Sequence, residues 1–161
     1  MIYTKGNILD SSIHYICHQV NTLGIMGGGL ALQVRNRFPN VFKEYGEFIH
    51  AYEKAYNDIP LGKYCISHIT DGRNIVNIFG QSSIGCGACQ TNYDAVYKAF
   101  KLFYHDYLAD EEQPVIAVPY KFGCGLAGGN WDRMVEIFEK LEKETGMLIV
   151  CYVYSGEVCS W

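Results

Sequence analysis

Two glycine-rich segments hold the residues best suited to chemistry. One, Asn21-Thr22-Leu23-Gly24-Ile25-Met26-Gly27-Gly28-Gly29-Leu30-Ala31, follows an apolar run ending near Val20. The other, Gly123-Cys124-Gly125-Leu126-Ala127-Gly128-Gly129-Asn130-Trp131, follows a run ending near Pro119. Each lies between a strand-like and a helix-like pattern. Glycine lets backbone N–H groups approach an anion closely and tolerates positive φ, and a following helix turns its free N–H groups and positive dipole end toward the same anion. In an open α/β sheet such loops fall at the carboxyl ends of strands, where ligands bind. Two of them on one edge would hold two phosphates, or a phosphate and a sugar, which points to a diphosphate-containing nucleotide. Neither cluster is followed by Lys-Ser or Lys-Thr, so a P-loop is excluded. Gly123-x-Gly125-x-x-Gly128 matches the dinucleotide fingerprint in form. The acidic residue that fingerprint needs about 20 positions later would fall in Met147-Leu148-Ile149-Val150, an entirely apolar stretch, so the Rossmann reading fails.

The cysteines invite a second chemistry. There are seven, at 17, 65, 86, 89, 124, 151 and 159. An odd number, no export signal, and placement in runs such as Ile149-Val150-Cys151-Tyr152 fit reduced thiols packed as small hydrophobes. Cys86-Gly87-Ala88-Cys89 has C-x-x-C spacing, but no second ligand pair follows to complete a zinc site. A redox pair would open a helix after a strand, whereas this one lies in a glycine-rich loop.

The elements that must position the loops alternate. Ile13 to Val20 reads as a strand. From Leu30, apolar residues recur at helical spacing through Ile49, and Pro39 divides the stretch into two helices. Tyr64 to Ile69 and Ile75 to Phe79 read as strands joined by the turn signal Asp71-Gly72. Thr91-Asn92-Tyr93-Asp94 has capping-box spacing before a helix through Phe103. Val115 to Val118 is a buried-type strand, Trp131 to Thr145 a helix stopped by Gly146, and Met147 to Tyr154 a last strand. This order predicts an α/β fold with a buried mixed sheet.

The chain has 161 residues, which predicts a single domain spanning 1–161. Hydrophobic residues are 49% and charged residues 19%, so intrinsic disorder is excluded. A net charge of −4 argues against a general nucleic-acid or anionic-membrane binder. With no long apolar run and no secretory signal at the N-terminus, the expectation is an intracellular, cytoplasmic protein.

These segments together resemble a macrodomain, the ADP-ribose-binding module, over almost the whole chain. The resemblance rests on Tyr3-Thr4-Lys5-Gly6-Asn7-Ile8-Leu9 and on the two glycine loops. Asn77-Ile78-Phe79-Gly80-Gln81 and Gln90-Thr91-Asn92-Tyr93-Asp94-Ala95 are further typical of the small stand-alone branch of ADP-ribose 1″-phosphate phosphatases, yeast-type and phage-like. The resemblance implies a three-layer α/β/α fold with a mixed central sheet. It implies a hydrolase that releases the terminal phosphate of ADP-ribose 1″-phosphate without cofactor or metal. The alternatives are a non-catalytic ADP-ribose reader, or a hydrolase of O-acyl-ADP-ribose or ADP-ribosyl esters.

Carried over by position, Asn7 and Ile8 meet the adenine, with Tyr154 flanking it. Many macrodomains have Asp where Asn7 stands; an Asn carbonyl accepts the same hydrogen bond without charge assistance. Met26, Gly27, Gly28, Gly29 and Leu30 line the distal ribose and the nearby phosphate. Gly123, Cys124, Gly125, Leu126, Ala127 and Gly128 cradle the diphosphate, and Gln81 binds substrate or simply ends a strand. His18 and Asn21 match catalytic positions, His18 being equally readable as a core histidine. Asp132 would activate water, or else complement a helix dipole. The branch that frees ADP-ribose from glutamate uses a lysine nucleophile, and an aspartate after Gly-Cys-Gly-Leu. Here Ala127 occupies the second position and residues 77–90 contain no lysine, so Schiff-base chemistry is not expected.

Overall fold

The computed structural model describes residues 1–85 and 87–154. The elements are β1 (Ile2–Lys5), β2 (Tyr15–Asn21), α1 (Gly29–Arg37), α2 (Pro39–Tyr56), β3 (Tyr64–His68), β4 (Asn74–Gln81), α3 (Tyr93–Phe103), β5 (Val115–Pro119), α4 (Trp131–Thr145) and β6 (Leu148–Val153). The strands form one six-stranded sheet in the order β1-β6-β5-β2-β4-β3. Among the described residues only β3 runs antiparallel to its neighbour, so the sheet is mixed, as expected.

Alternation along each strand divides the core between two helical layers. Cys17, Val76, Ile78, Val118 and Ile149 face α3 and α4, whose Phe100, Phe103, Met134 and Phe138 are buried against them. Ile16, Val20, Ile75 and Phe79 face α1 and α2 and meet Val34, Val41, Tyr45 and Ile49. The result is the expected three-layer α/β/α sandwich. Fully burying each of the large apolar side chains contributes roughly 1.5–3 kcal/mol.

Helix boundaries follow local chemistry. Pro39 is the first residue of α2, where its missing N–H costs nothing, and α1 ends just before it. Gly146 stops α4 in the left-handed region at φ 74°. Two features depart from expectation. The strand β1 is absent from the sequence pattern, because Ile2 and Tyr3 are each 51% exposed on the sheet edge and show no buried alternation. The cap of α3 is Asn92, whose side chain accepts from Ala95 N at 2.9 Å. Thr91 does not cap it; its hydroxyl donates to Gly123 O at 2.6 Å.

Candidate functional site

The site begins where two strands part. β2 pairs with β4 along its length, but with β5 only at Tyr15↔Ile116 and Ile16↔Ala117. Beyond that the carboxyl ends of β2 and β5 are not paired. From β2 the chain leaves through α1 and α2 toward β3 and β4; from β5 it leaves through α4 toward β6. This is the switch point at which open α/β sheets form a ligand crevice. The first glycine loop leaves β2 and the second follows β5, so both start at this switch point.

Asn21 organises the first loop. The register with β4 shifts just before it, Val20 standing opposite Phe79 and Asn21 opposite Gln81, so that Gly80 of β4 is left unpaired where β2 ends. Asn21 Oδ1 accepts from Leu23 N at 3.0 Å and Ile25 N at 3.2 Å, and Asn21 Nδ2 donates to Ile25 O at 2.7 Å. The hydroxyl of Tyr45, reaching up from α2, lies 2.6 Å from Asn21 O and 2.8 Å from Asn21 Oδ1. Past this knot, Met26, Gly27, Gly28, Gly29, Leu30 and Ala31 have N–H groups without a hydrogen-bond acceptor among the described residues. Gly28, the N-cap of α1, provides no side-chain cap, so the helix's positive end stays available.

The second loop is held from its own backbone and from beneath. Cys124 N donates to Lys121 O at 2.8 Å, Gly128 N to Gly125 O at 2.9 Å, and Gly129 N to Gly123 O at 3.0 Å. Below it, Gln19 Nε2 donates to Thr91 Oγ1 and to Gln81 Oε1, both at 2.9 Å, and the Thr91 hydroxyl donates in turn to Gly123 O. The N–H groups of Gly125, Leu126 and Ala127 have no acceptor among the described residues. Unlike α1, the following helix is capped, because Asn130 Oδ1 accepts from Arg133 N at 3.0 Å. The positive end of α4 is thus partly engaged within the protein, a difference between two loops that both lead into helices. The loops meet at their tips. The 69%-exposed Leu126 reaches across so that its Cδ1 lies 2.5 Å from where a Cβ on Gly28 would stand.

The remaining expected site residues divide. Asn7 Oδ1 caps the short turn at Ile8–Asp10 by accepting from Leu9 N at 3.0 Å; Ile8 is buried and Tyr154 exposed. Gln81 both ends β4 and joins the polar column, donating to Ser83 O at 2.8 Å. His18 lies 2% exposed on the α1/α2 face, donating through Nε2 to Asn77 Oδ1 at 2.7 Å. Its Nδ1 is buried without a partner among the described residues. Burial lowers its pKa to about 4, the bond to Asn77 offsetting only part, so the ring is neutral at neutral pH. Asp132 is exposed in the first turn of α4, where a carboxylate complements the dipole by about 0.3–1 kcal/mol.

No site role is legible in the sequence for Gln19, Thr91 or Tyr45: Gln19 stands out only as a polar residue inside an apolar strand, Thr91 fits a helix cap, and Tyr45 fits the apolar stripe of a helix. A cavity of about 420 Å³ flanks the second loop, lined by Ser82, Ser83, Cys89, Thr91, Tyr93 and Arg133. The Arg133 guanidinium stacks 3.9 Å from the Tyr93 ring centre. Burial pushes the Cys124 thiol up to about 11, so it stays protonated. Cys86 and Cys159 lie outside the described residues, so the C-x-x-C pair is only partly described. Among the described residues no group of three or more His, Cys, Asp or Glu is placed to hold a metal ion, and no helix is long and apolar enough to cross a membrane.

Comparison with known proteins identifies the architecture. The macrodomain of Mycobacterium tuberculosis DarG superposes with a TM-score of 0.74 at 22% identity, over 94% of this chain and 95% of that one. A macrodomain protein from Streptomyces coelicolor gives 0.73 at 26% identity, over 94% and 97%. Thermosipho africanus DarTG in complex with ADP-ribose gives 0.73 at 18% identity, over 97% of this chain and 42% of that one. The chain has the macrodomain fold. By sequence it is similar to DNA ADP-ribosyl glycohydrolases, 37% identical over 43 residues to that of Thermus aquaticus and 35% over 63 residues to that of M. tuberculosis. Those stretches cover 27% and 38% of this chain, and only 12% and 16% of the relatives' length. No family model matches the chain.

Proposed function

We propose that the protein binds ADP-ribose across its two loops and hydrolyses ADP-ribose conjugates at the distal ribose, releasing phosphate from ADP-ribose 1″-phosphate. The observation that carries this reading is the parting of β2 and β5 between two rows of N–H groups without acceptors among the described residues. Two such rows suit a diphosphate. The likeness to a structure holding ADP-ribose supports the choice of ligand, and the relatives' name supports hydrolysis of a conjugate. A net charge of −4 favours a small conjugate over one attached to a polyanion.

In this reading Asn7, Ile8 and Tyr154 take the adenine, residues 123–128 the diphosphate, and residues 26–30 the distal ribose. The ligand turns aside the Leu126 side chain, an exposed and flexible tip. Fixed N–H donors stabilise charge developing on the phosphoryl group while water attacks. With Ala127 after Gly-Cys-Gly-Leu and no lysine in residues 77–90, cleavage through a lysine amine has no nucleophile there.

A reader without turnover is the second reading, and the state of the expected catalytic residues favours it. Nε2 of His18 is engaged by Asn77, and the Asn21 side chain is engaged by its own loop. Calorimetric titration with ADP-ribose tests binding; no heat at millimolar ligand overturns both readings. Phosphate release from ADP-ribose 1″-phosphate, compared between the wild type and Asp132→Ala, tests turnover. Binding without release leaves the reader, and loss of the acyl group from O-acyl-ADP-ribose would make the protein an ester hydrolase instead.

A further inference from the structure

We infer that Tyr45 is a positioning residue for the ligand site, setting the first loop's open row of N–H groups through Asn21 without touching ligand itself. The inference rests on the ADP-ribose reading for its ligand, and on geometry alone for its effect on the loop. Tyr45 is 0% exposed, and its ring lies against Phe79 at 5.8 Å between centres, so α2 and β4 fix where its hydroxyl can go. That hydroxyl meets both the carbonyl oxygen and the Oδ1 of Asn21, the last residue of β2, where the strand becomes loop. A hydroxyl has one proton, and the two acceptors share it.

Asn21 Oδ1 is also the acceptor for Leu23 N and Ile25 N, so the orientation of one amide decides the path of the next four residues. The N–H groups from Met26 to Ala31 start directly after that path ends. Without the phenolic proton, the Asn21 carbonyl oxygen loses its buried donor, and the amide is held from the loop side only. The loop then samples other paths, and a ligand must order it again on binding. Burial also pushes the Tyr45 phenol up, so it remains a donor across the pH range in which the protein is handled.

The test is Tyr45→Phe, which keeps the ring packing and removes the hydroxyl. Hydrogen exchange at the Leu23 and Ile25 amides should accelerate at least about tenfold, and ADP-ribose affinity measured by calorimetry should fall about tenfold, the usual scale for one lost buried hydrogen bond. Affinity for AMP, which lacks the part that meets the first loop, should not change. Phe48→Leu is the control, since it loosens the same aromatic stack while leaving the hydroxyl in place. It should lower Tm without accelerating Leu23 or Ile25 exchange. Unchanged exchange in Tyr45→Phe overturns the inference, as does equal weakening of AMP and ADP-ribose or equal acceleration in Phe48→Leu. Should wild-type protein bind no ADP-ribose, the functional reading falls, and the exchange rates still decide whether Tyr45 holds the loop.

Discussion

The two glycine loops look alike in sequence and are built on different principles. The first hangs from side chains, with Asn21 and Tyr45 tying its base and an uncapped helix at its far end. The second is a series of backbone turns over a polar column, with a capped helix beyond. Gly28 and Gly123 bring out the contrast. A Cβ on either would meet another atom at 2.5 Å. At Gly28 that atom is the tip of an exposed leucine, which can swing away. At Gly123 it is Gln19 Oε1, fixed in the column, and φ is +67° as well. Equal distances therefore conceal unequal costs, and the deformability of the neighbour decides between them.

Gly123→Ala should be the most damaging change, because overpacking against Gln19 adds to left-handed strain for a total of about 4 kcal/mol. Urea unfolding would show it, and a loss below about 1 kcal/mol would erase the distinction between the loops. Acid should act next, from beneath the first loop. His18 is neutral in both states above pH 6.5; below that the unfolded chain takes up a proton that the folded chain refuses until about pH 4. Stability should thus fall by about 3 kcal/mol as pH drops through that window, and His18→Gln should remove that part of the slope. Unfolding curves of both proteins at pH 7, 5.5 and 4 test the sign.

Thr91→Val should cost about 2 kcal/mol, since it leaves Gly123 O and Gln19 Nε2 each short of a partner under the second loop. Asn130→Ala should cost about 1 kcal/mol through the lost cap of α4. The smallest effect should be Gly28→Ala, about 0.5 kcal/mol or less on stability, although it places a methyl group beside N–H groups assigned to the ligand. Melting curves paired with ADP-ribose titrations would separate stability from affinity in each variant.

Much of this arrangement is legible in the sequence. Apolar periodicity and Pro39 divide α1 from α2, and Trp131 to Thr145 gives α4 with its observed bounds. The parallel strands and their loops come from alternation and glycine. The features that stay hidden depend on direction. A β-strand pattern places His18 and Asn21 near a strand end, but the register with β4 shifts between Val20 and Asn21, where Gly80 goes unpaired, and such shifts have no reliable signature in a single sequence. Likewise Thr91 fits a capping box locally, and only the tertiary position of Gly123 draws its hydroxyl elsewhere. The edge strand β1 escapes because exposed residues carry no burial signal.

The sparse pairing of β2 with β5 has a mechanical consequence. One half of the sheet, β1-β6-β5, is stitched to the other, β2-β4-β3, by ladder pairs at two positions of β2, Tyr15 and Ile16. The seam runs directly under the two loops, so a molecule that spans them would act as a brace across the weakest line of the sheet. Such a brace would raise the melting temperature more than it shields any individual loop, and slow exchange most in the strands flanking the seam.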